Sequence, residues 1–293
     1  MRKPQLVSET TSRRGLSAAD AVAAQRQLTS RDFALLDLLA THRVLTSTQI
    51  ARLLFASENV ARKRLAKLHA RAIVARFRTN PGPGSVPWRY TLGPLGAMIT
   101  AAQHGHTLPA AHKTHARALR LSRSPHLEHL LGVNDVFSRL AAHARTAPGC
   151  ELVRWWNEHD TAARCADIVH PDGYGEWHAH GRTVGFFLEY DNGTEPLSTV
   201  AAKLDGYRDL AAAGRNHPVL FVFAGATRHT RFHQHLTTHP HLTAGLTVAT
   251  AITTDLDTHS PAGPVWLPAT SPIRRRLIDL DAPPPATRLD TAA

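Results

Sequence analysis

The residues best suited to chemistry in this sequence are carboxylates in its second half. Asp172 stands in a Pro-Asp-Gly triplet, and Glu189 and Asp191 form a Glu-x-Asp pair that ends an apolar run. Residues two apart on a strand face the same side of a sheet, so Glu189 and Asp191 are predicted to point together. Mg²⁺ takes oxygen ligands from a few carboxylates, and the bound ion can activate water at a phosphate. The pattern therefore predicts a magnesium site for phosphodiester chemistry, with Asp172, Glu189 and Asp191 as catalytic and metal-binding residues.

Two further residues extend this predicted site. Glu128, on the preceding helix, is the candidate fourth metal ligand, and Lys203, on the following helix, is the candidate catalytic cation. Structural alternatives remain open at each acid. Asp172 with Gly173 is equally a turn pair, and Asp191 begins a polar loop whose side chains could cap the next helix.

The elements that must position these residues predict an α/β domain over residues 124–270. Apolar runs with β-branched and aromatic residues indicate strands, and apolar residues at helical spacing indicate helices between them. The predicted order is α-β-β-β-α-β-α-β, with the acids at strand ends. The elements are a helix from 124, strands at 151–156, 168–174 and 184–191, a helix at 195–213, a strand at 218–224, a helix at about 228–238 and a strand at 246–252.

Residues 29–104 predict a winged helix-turn-helix domain. Three short helices begin at capping residues Thr29, Thr46 and Ser57. Strand-like runs at 72–78 and 86–92 follow, joined by a Pro- and Gly-rich turn. In such domains the third helix reads the DNA major groove.

The third helix and the wing carry the predicted DNA-binding residues. Arg and Asn can pair with base edges, and a helix N-terminus can contact phosphate. The alternative is a solvated basic helix in a winged helix that binds protein. The candidates are Ser57, Asn59, Arg62, Lys63, Arg64 and Lys67 on the helix, and Arg76, Arg78 and Arg89 on the wing.

Charge segregation supports a polyanionic partner for the first half. The 293 residues carry a net charge of +11, and residues 1–150 hold 22 of the 34 Lys and Arg but only 7 of the 23 Asp and Glu. Double-stranded DNA is the predicted partner, and a second copy of the chain or other replication and mobilisation proteins are further candidates.

Composition excludes several classes of protein. No run approaches the roughly 20 apolar residues of a membrane-spanning helix, so no membrane partner is expected. The N-terminus lacks the apolar segment of a signal peptide, and Cys150 and Cys165 are the only cysteines, which favours a reduced, cytoplasmic protein. There is no phosphate-binding loop of the ATPase type.

The domain organisation predicted from these features has five segments. Residues 1–28 are predicted to be a mobile basic arm, and residues 105–123 a basic linker between the two domains. The DNA-binding and nuclease-like domains occupy 29–104 and 124–270, and residues 271–293 form a C-terminal tail. The overall fold class is α+β or α/β.

The second domain resembles the PD-(D/E)xK nuclease superfamily. The matching residues are Pro171-Asp172 and Glu189. The lysine of the motif belongs two residues after the glutamate, where this chain has Asp191. Some members place that lysine on the following helix, which makes Lys203 the corresponding candidate.

The chain as a whole resembles the replication-relaxation family of actinobacterial plasmids and integrating elements. The resemblance implies a role in plasmid or mobile-element replication and DNA relaxation. Nicking at a magnesium site is predicted from the carboxylates themselves and not from the family. A non-catalytic regulator with a pseudo-nuclease domain and a nuclease acting on RNA or foreign DNA are the alternatives. The blocks that carry the resemblance are Leu28–Asp32, Arg43–Thr46, Gln49–Phe55, Ala61–Leu65, Gly132–Asp135, Arg154–Trp156, Arg164–Cys165, Pro171–Gly175, Phe187–Asp191, Gly193–Glu195 and Lys203–Tyr207.

Overall fold

The chain folds into two compact units with mixed α/β structure, which confirms the predicted fold class. The computed structural model describes residues 5–6, 15–78 and 86–280. The units are Met1–Ser138 and Arg139–Ala293. Their boundary lies within the helix Leu127–Ala144, whereas the sequence placed it at 105–123.

The first unit combines helices with a four-stranded antiparallel sheet of order β1-β3-β4-β2. Three consecutive helices precede the two longer strands, as the sequence predicted. The elements are β1 (Gln5–Leu6), α1 (Ala18–Gln25), α2 (Ser30–His42), β2 (Leu45–Thr46), α3 (Ser47–Leu54), α4 (Glu58–Ala70), β3 (Val74–Arg78), β4 (Arg89–Leu92), α5 (Pro94–Gln103), α6 (Ala111–Ser122) and the first part of α7 (Leu127–Ala144).

The predicted helix starts are confirmed by side-chain caps. The Thr29 hydroxyl accepts from the backbone of Asp32, whose carboxylate accepts from the Thr29 backbone, closing a capping box. Thr46 and Gln49 form the same arrangement. The Ser57 hydroxyl accepts from the third residue of α4. Each cap satisfies backbone N–H groups that the first helical turn leaves without partners.

Two segments expected to lack structure contain helices. Part of the predicted arm forms α1, which begins with a capping box between Ser17 and Asp20. Most of the predicted linker forms α6, whose buried face includes Ala118 and Leu121. The remaining arm residues 1–4 and 7–14, the predicted turn at 80–85 and tail residues 281–293 lie outside the described residues.

Helix α5 packs unusually close to the start of β3. A Cβ atom at Gly96 would lie 2.1 Å from the Ile73 carbonyl oxygen, and one at Gly93 would lie 2.4 Å from that of Ala72. Only glycine allows so close an approach of a helix to another backbone. These two glycines therefore allow the start of α5 to pack directly on the backbone of Ala72 and Ile73.

The second unit is built on a mixed six-stranded sheet of order β10-β9-β8-β7-β6-β5. Strands β7, β8 and β9 run parallel, and β5, β6 and β10 are antiparallel to their neighbours. The elements are β5 (Glu151–Asn157), α8 (Glu158–Arg164), β6 (Gly173–Ala179), β7 (Arg182–Asp191), α9 (Leu197–Ala212), β8 (Val219–Phe223), α10 (Ala226–Thr238), β9 (Val248–Ile252), α11 (Thr253–Thr258) and β10 (Leu267–Pro268).

The order of strands and helices follows the prediction, with local differences. The strand predicted at 168–174 begins only at Gly173, so Asp172 lies just before β6. Helix α8, capped by Asn157, interposes between β5 and β6 and was not predicted. Within the described ranges, no helix is long and apolar enough to cross a membrane.

Aromatic residues bury one face of the sheet beneath α9 and α10. Phe187 of β7 and Phe221 and Phe223 of β8 pack with Tyr207 and Phe232 in one core cluster. Glu189 and Asp191 continue the alternation set by Phe187, so their side chains lie on this same helix-covered face. The strand period thus carries two carboxylates into an apolar layer.

We expect the first unit to lose stability as the pH falls below neutrality, because it buries a neutral histidine. His42 is buried, and burial lowers its pKa from 6.5 to about 3. Stability from a lowered histidine pKa is complete above pH 6.5 and declines as the unfolded chain takes up a proton. The loss for this residue is about 2 kcal/mol at pH 5.

Denaturant unfolding of the wild-type protein and His42→Leu at pH 7.5 and pH 5 measures this term. The variant should lose less stability between the two pH values. Equal pH dependence in both proteins would contradict the assignment.

Candidate active site and nucleic-acid interface

A buried carboxylate at the end of β7 is held by two residues of α9. Glu189 is 2% exposed, and its Oε2 accepts from Lys203 Nζ at 2.5 Å. Its Oε1 accepts from the Tyr207 hydroxyl at 2.6 Å. Lys203 and Tyr207 are four residues apart, so they occupy one face of α9. The structure thus places the predicted Lys203 against the predicted Glu189.

Asp172 adds a second carboxylate beside Glu189. Its Oδ2 accepts from the Tyr190 backbone N–H at 2.7 Å, which ties the residue before β6 to the end of β7. Asp172 is only partly buried, and the Lys203 side chain is 33% exposed. The buried Glu189 is therefore flanked by two residues that solvent reaches.

Burial and neighbouring charge shift the protonation of this group. Burial, then the negative charge of Asp172, raises the pKa of Glu189 from 4.5 to about 7, against the opposing effect of Lys203. Burial alone would lower the pKa of Lys203, but the carboxylates of Glu189 and Asp172 outweigh it and raise that pKa. Two close carboxylates with one shared cation are electrostatically under-compensated, as in sites that bind another cation or a proton.

The other two predicted metal ligands are already paired with arginine. Arg228 Nε donates to both carboxylate oxygens of Asp191 at 2.9 and 2.8 Å, and Asp191 also accepts from the Gly193 backbone. In the first unit, Glu128 accepts from Arg89 at 2.6 Å. These pairings favour a structural role for Asp191 and Glu128, because a guanidinium occupies the position that a metal ion would take beside each carboxylate. Their assignment as metal ligands stays a prediction.

The remaining donors fit magnesium only as a two-carboxylate site. Across residues 15–78 and 86–280, no group of three or more His, Cys, Asp or Glu side chains is arranged to hold a metal ion. Mg²⁺ commonly binds through one or two carboxylates and keeps several waters or takes phosphate oxygens. Asp172 and Glu189 provide that donor type.

The outer surface of α4 presents most of the predicted DNA-binding residues. Those that are exposed on this helix or at its cap are Ser57, Asn59, Arg62, Lys63 and Lys67. Asn59 accepts a hydrogen bond from Arg62 at 3.3 Å, one turn apart. Leu65 and Leu68, on the opposite side of α4, are buried. The helix therefore turns an apolar face to the core and a cationic face to solvent.

Two predicted DNA contacts have internal roles instead. Arg64 pairs through Nε and Nη2 with Asp32, which is 1% exposed. Arg89 is buried and pairs with Glu128. Their expected outward orientation is corrected, because each guanidinium compensates a carboxylate within the unit.

The two remaining wing arginines share one aromatic ring. The guanidinium carbons of Arg76 and Arg78 each lie 4.3 Å from the centre of the Trp88 ring. These are cation–π distances, and the flat ring restricts the orientation of both side chains. Trp88 was not singled out from the sequence, although an aromatic residue across from two arginines on one strand face is a usable signal.

Tyr207 is the site residue that the sequence analysis missed. It is buried, and the sequence analysis named it only within the block Lys203–Tyr207. Its i+4 spacing from Lys203 is the signal that could have found it. Burial and the neighbouring Glu189 carboxylate raise the pKa of its hydroxyl, so it acts as a hydrogen-bond donor.

Two blocks that carry the resemblance bind each other rather than a ligand. Gln49 Nε2 donates to the Leu131 carbonyl at 2.8 Å, and Arg52 pairs with Asp135 at 2.6 Å. Asn134 Nδ2 donates to a backbone carbonyl that follows α2. These contacts join α3 to α7 in the first unit, so the blocks have a structural role.

The histidine-rich segment 229–241 is partly internal. His229 is buried and its Nε2 lies 2.9 Å from the Thr250 hydroxyl. His233 Nδ1 lies 3.2 Å from the same hydroxyl. Burial, then the nearby His233, lowers the pKa of His229 to about 4. These two residues therefore pack α10 on β9.

We expect Lys203→Met to destabilise the second unit by about 3 kcal/mol at pH 8, because Glu189 would lose its cation while remaining buried. The folded pKa of Glu189 is already above its unfolded value, so its protonation favours folding at low pH and that advantage is lost as pH rises through about 7. The destabilisation should therefore be smaller at pH 5 than at pH 8.

Equilibrium unfolding at both pH values checks this expectation. In the double variant Glu189→Gln, Lys203→Met, the extra destabilisation that Lys203→Met shows at pH 8 compared with pH 5 should disappear. A Lys203→Met protein as stable as wild type at pH 8 would contradict the ion-pair assignment.

The comparisons with known proteins support the resemblance. The family model described as Replication-relaxation matches residues 36–223, which is more than half of the chain. No curated protein and no solved structure matches it. The matched region contains α4, β7 and the four residues Asp172, Glu189, Lys203 and Tyr207. This chain belongs to the replication-relaxation family.

Proposed function

We propose that this protein docks on double-stranded DNA through its first unit, as a winged helix-turn-helix, in the replication or relaxation of mobile-element DNA. Membership of the family indicates a role in plasmid or mobile-element replication or relaxation. The observation that carries the DNA-docking proposal is the exposed cationic face of α4, with Arg62, Lys63 and Lys67 on one helix. The Arg76–Trp88–Arg78 group adds two oriented guanidinium groups on β3.

The distribution of arginines supports docking by α4 rather than a general surface charge. Arg64 compensates an internal carboxylate, and Arg89 does the same. The described residues offer no carboxylate partner to Arg62, Lys63 or Lys67. When such surface cations contact phosphates, they release the counterions that are condensed on the DNA.

We expect the triple variant Arg62→Ala, Lys63→Ala, Lys67→Ala to bind duplex DNA more weakly and with less dependence on salt. If each cation contacts one phosphate, the slope of log affinity against log salt falls by about 2.7. Fluorescence anisotropy with a labelled duplex at several KCl concentrations measures this slope.

Arg64→Ala provides a contrast, because losing the ion pair with Asp32 should lower the thermal stability rather than the salt slope. An unchanged slope in the triple variant would exclude α4 as the docking helix.

The second unit is proposed to nick the docked DNA at Asp172, Glu189 and Lys203. A bound Mg²⁺ would supply an activated water and charge neutralisation at the phosphate. Asp172 and Glu189 would hold it, while Tyr207 keeps the Glu189 carboxylate oriented. Lys203, partly exposed, would stabilise the negative charge that develops on the phosphate oxygens as water adds and one ester oxygen leaves. A single cut lets the strands rotate and relaxes supercoils.

A non-catalytic accessory function is the second candidate, and a specific observation favours it. Both carboxylate oxygens of Glu189 already accept short hydrogen bonds, and Glu189 is almost fully buried. If the protein is an accessory factor, Asp172, Glu189, Lys203 and Tyr207 only stabilise the sheet, and the second unit binds a partner.

We expect Glu189→Gln to abolish Mg²⁺-dependent nicking of supercoiled plasmid while leaving duplex binding unchanged. Gln keeps the shape of the side chain but removes the negative charge that a cation requires. Asp209→Asn, at an exposed position on α9, is the matched control and should nick like wild type. Gel separation of supercoiled and open circles reads the result. Absence of nicking in the wild-type protein would favour the accessory function. Equal nicking in both variants would exclude Glu189 from the nicking site.

A further inference from the structure

Helix α6 carries a stripe of cations that is separate from the face of α4. Lys113, Arg117 and Arg120 follow a spacing of four and three residues, so they lie within about 60° of arc and span about 10 Å along the helix. All three are exposed. Arg123, at the helix end, extends the charge, and no acidic residue occurs between 105 and 123.

The stripe is electrostatically unfavourable within the chain itself. Lys113 and Arg117 are a like-charged i,i+4 pair, and Arg117 and Arg120 are a like-charged i,i+3 pair, both of which oppose helix formation. None of the three has a carboxylate partner among the residues that the structure describes. An external anion would remove this repulsion, which is the physical reason to assign a ligand to this surface.

The rest of α6 indicates what kind of anion fits. Its apolar residues are used inside the first unit: Ala118 and Leu121 are buried, and Leu121 packs with Phe77 of β3. A helix that inserts into a lipid surface needs an exposed apolar face beside its cations, and α6 has none. A line of cations about 10 Å long on a rigid helix instead suits consecutive phosphates of a nucleic-acid backbone.

We propose that the stripe Lys113, Arg117 and Arg120 is a second contact surface for the phosphate backbone of duplex DNA, in addition to α4. This rests on the proposed docking of the first unit on DNA. The stripe holds the protein on the duplex without reading bases, because contacts between cations and phosphates do not depend on the DNA sequence. It therefore adds affinity and salt dependence rather than specificity.

The test compares two triple variants of the full chain that lose the same net charge. One is Lys113→Ala, Arg117→Ala, Arg120→Ala, and the control is Arg145→Ala, Arg215→Ala, Arg231→Ala, at exposed positions of the second unit. Anisotropy is measured with a labelled 30-base-pair duplex between 50 and 200 mM KCl. The α6 variant should lower the salt slope by about 2.7, so its affinity falls about 40-fold less than that of wild type over this range. The control should keep the wild-type slope.

Thermal unfolding separates loss of binding from loss of folding. Removing like charges from α6 should leave the Tm equal or higher, so weaker binding with an unchanged Tm supports the proposal. A wild-type slope in the α6 variant, or the same loss in the control, overturns it.

Two further outcomes separate this inference from the proposed function. If the α4 variant loses affinity and the α6 variant does not, docking stands and the second surface is overturned. If the wild-type chain does not bind the duplex, both fail. If the α6 variant keeps DNA binding but loses wild-type binding to vesicles of phosphatidylserine and phosphatidylcholine, the proposal is overturned in favour of a lipid surface.

Discussion

The second unit depends on how one buried carboxylate is compensated. Glu189 lies in an aromatic layer because the strand period that buries Phe187 also buries the residue two positions on. An isolated carboxylate there would cost several kcal/mol, so its two hydrogen-bond donors from α9 are a condition of folding. The helix is therefore fixed against β7 by Lys203 and Tyr207 at one turn's spacing. This constraint places Lys203, whose side chain is 33% exposed, near the carboxylate of Asp172.

The ion pair between Glu189 and Lys203 serves stability and also lies at the centre of the proposed chemistry. Lys203 compensates Glu189 when nothing else is bound, and the Asp172 charge keeps the pair short of one positive charge. A phosphate with its cation would supply both the missing positive charge and an anion for the lysine. Lys203 and Tyr207 therefore stabilise the buried carboxylate whether or not a phosphate binds beside them.

Much of the fold could be predicted because its signals are local. Capping residues at Thr29 and Thr46 identified the helix starts, and the apolar runs of β7 and β8 identified two strands, which the structure shows to be parallel and central in the sheet. The linker prediction was wrong for a physical reason: α6 has few apolar residues, and only its packing on the rest of the unit makes it a stable helix. Helix α8 was not predicted because it has only seven residues, and a helix this short is stabilised by its tertiary contacts rather than by its own sequence.

The site was predictable in residue type but not in pairing. Glu189 and Lys203 follow from a motif and a strand end, whereas nothing in the sequence tells that Asp191 faces Arg228 or that Glu128 faces Arg89. Ion pairs between residues far apart in the chain depend on the register of packed elements, which composition and periodicity do not determine. The same limit explains why Arg64 was expected at the DNA surface although Asp32 holds it inside.

Pairing also divides the positive charge of the first unit by role. Arg52, Arg64 and Arg89 each compensate a carboxylate and join elements of the unit. The exposed cations of α4 and α6 have no such partner within the described residues, and their mutual repulsion works against the compact state. The proposed contact with a phosphate backbone would offset this cost, because it releases the counterions condensed on the nucleic acid. The charge asymmetry of the sequence therefore has two components: arginines that pair within the unit, and exposed cations that the proposed DNA contacts would stabilise.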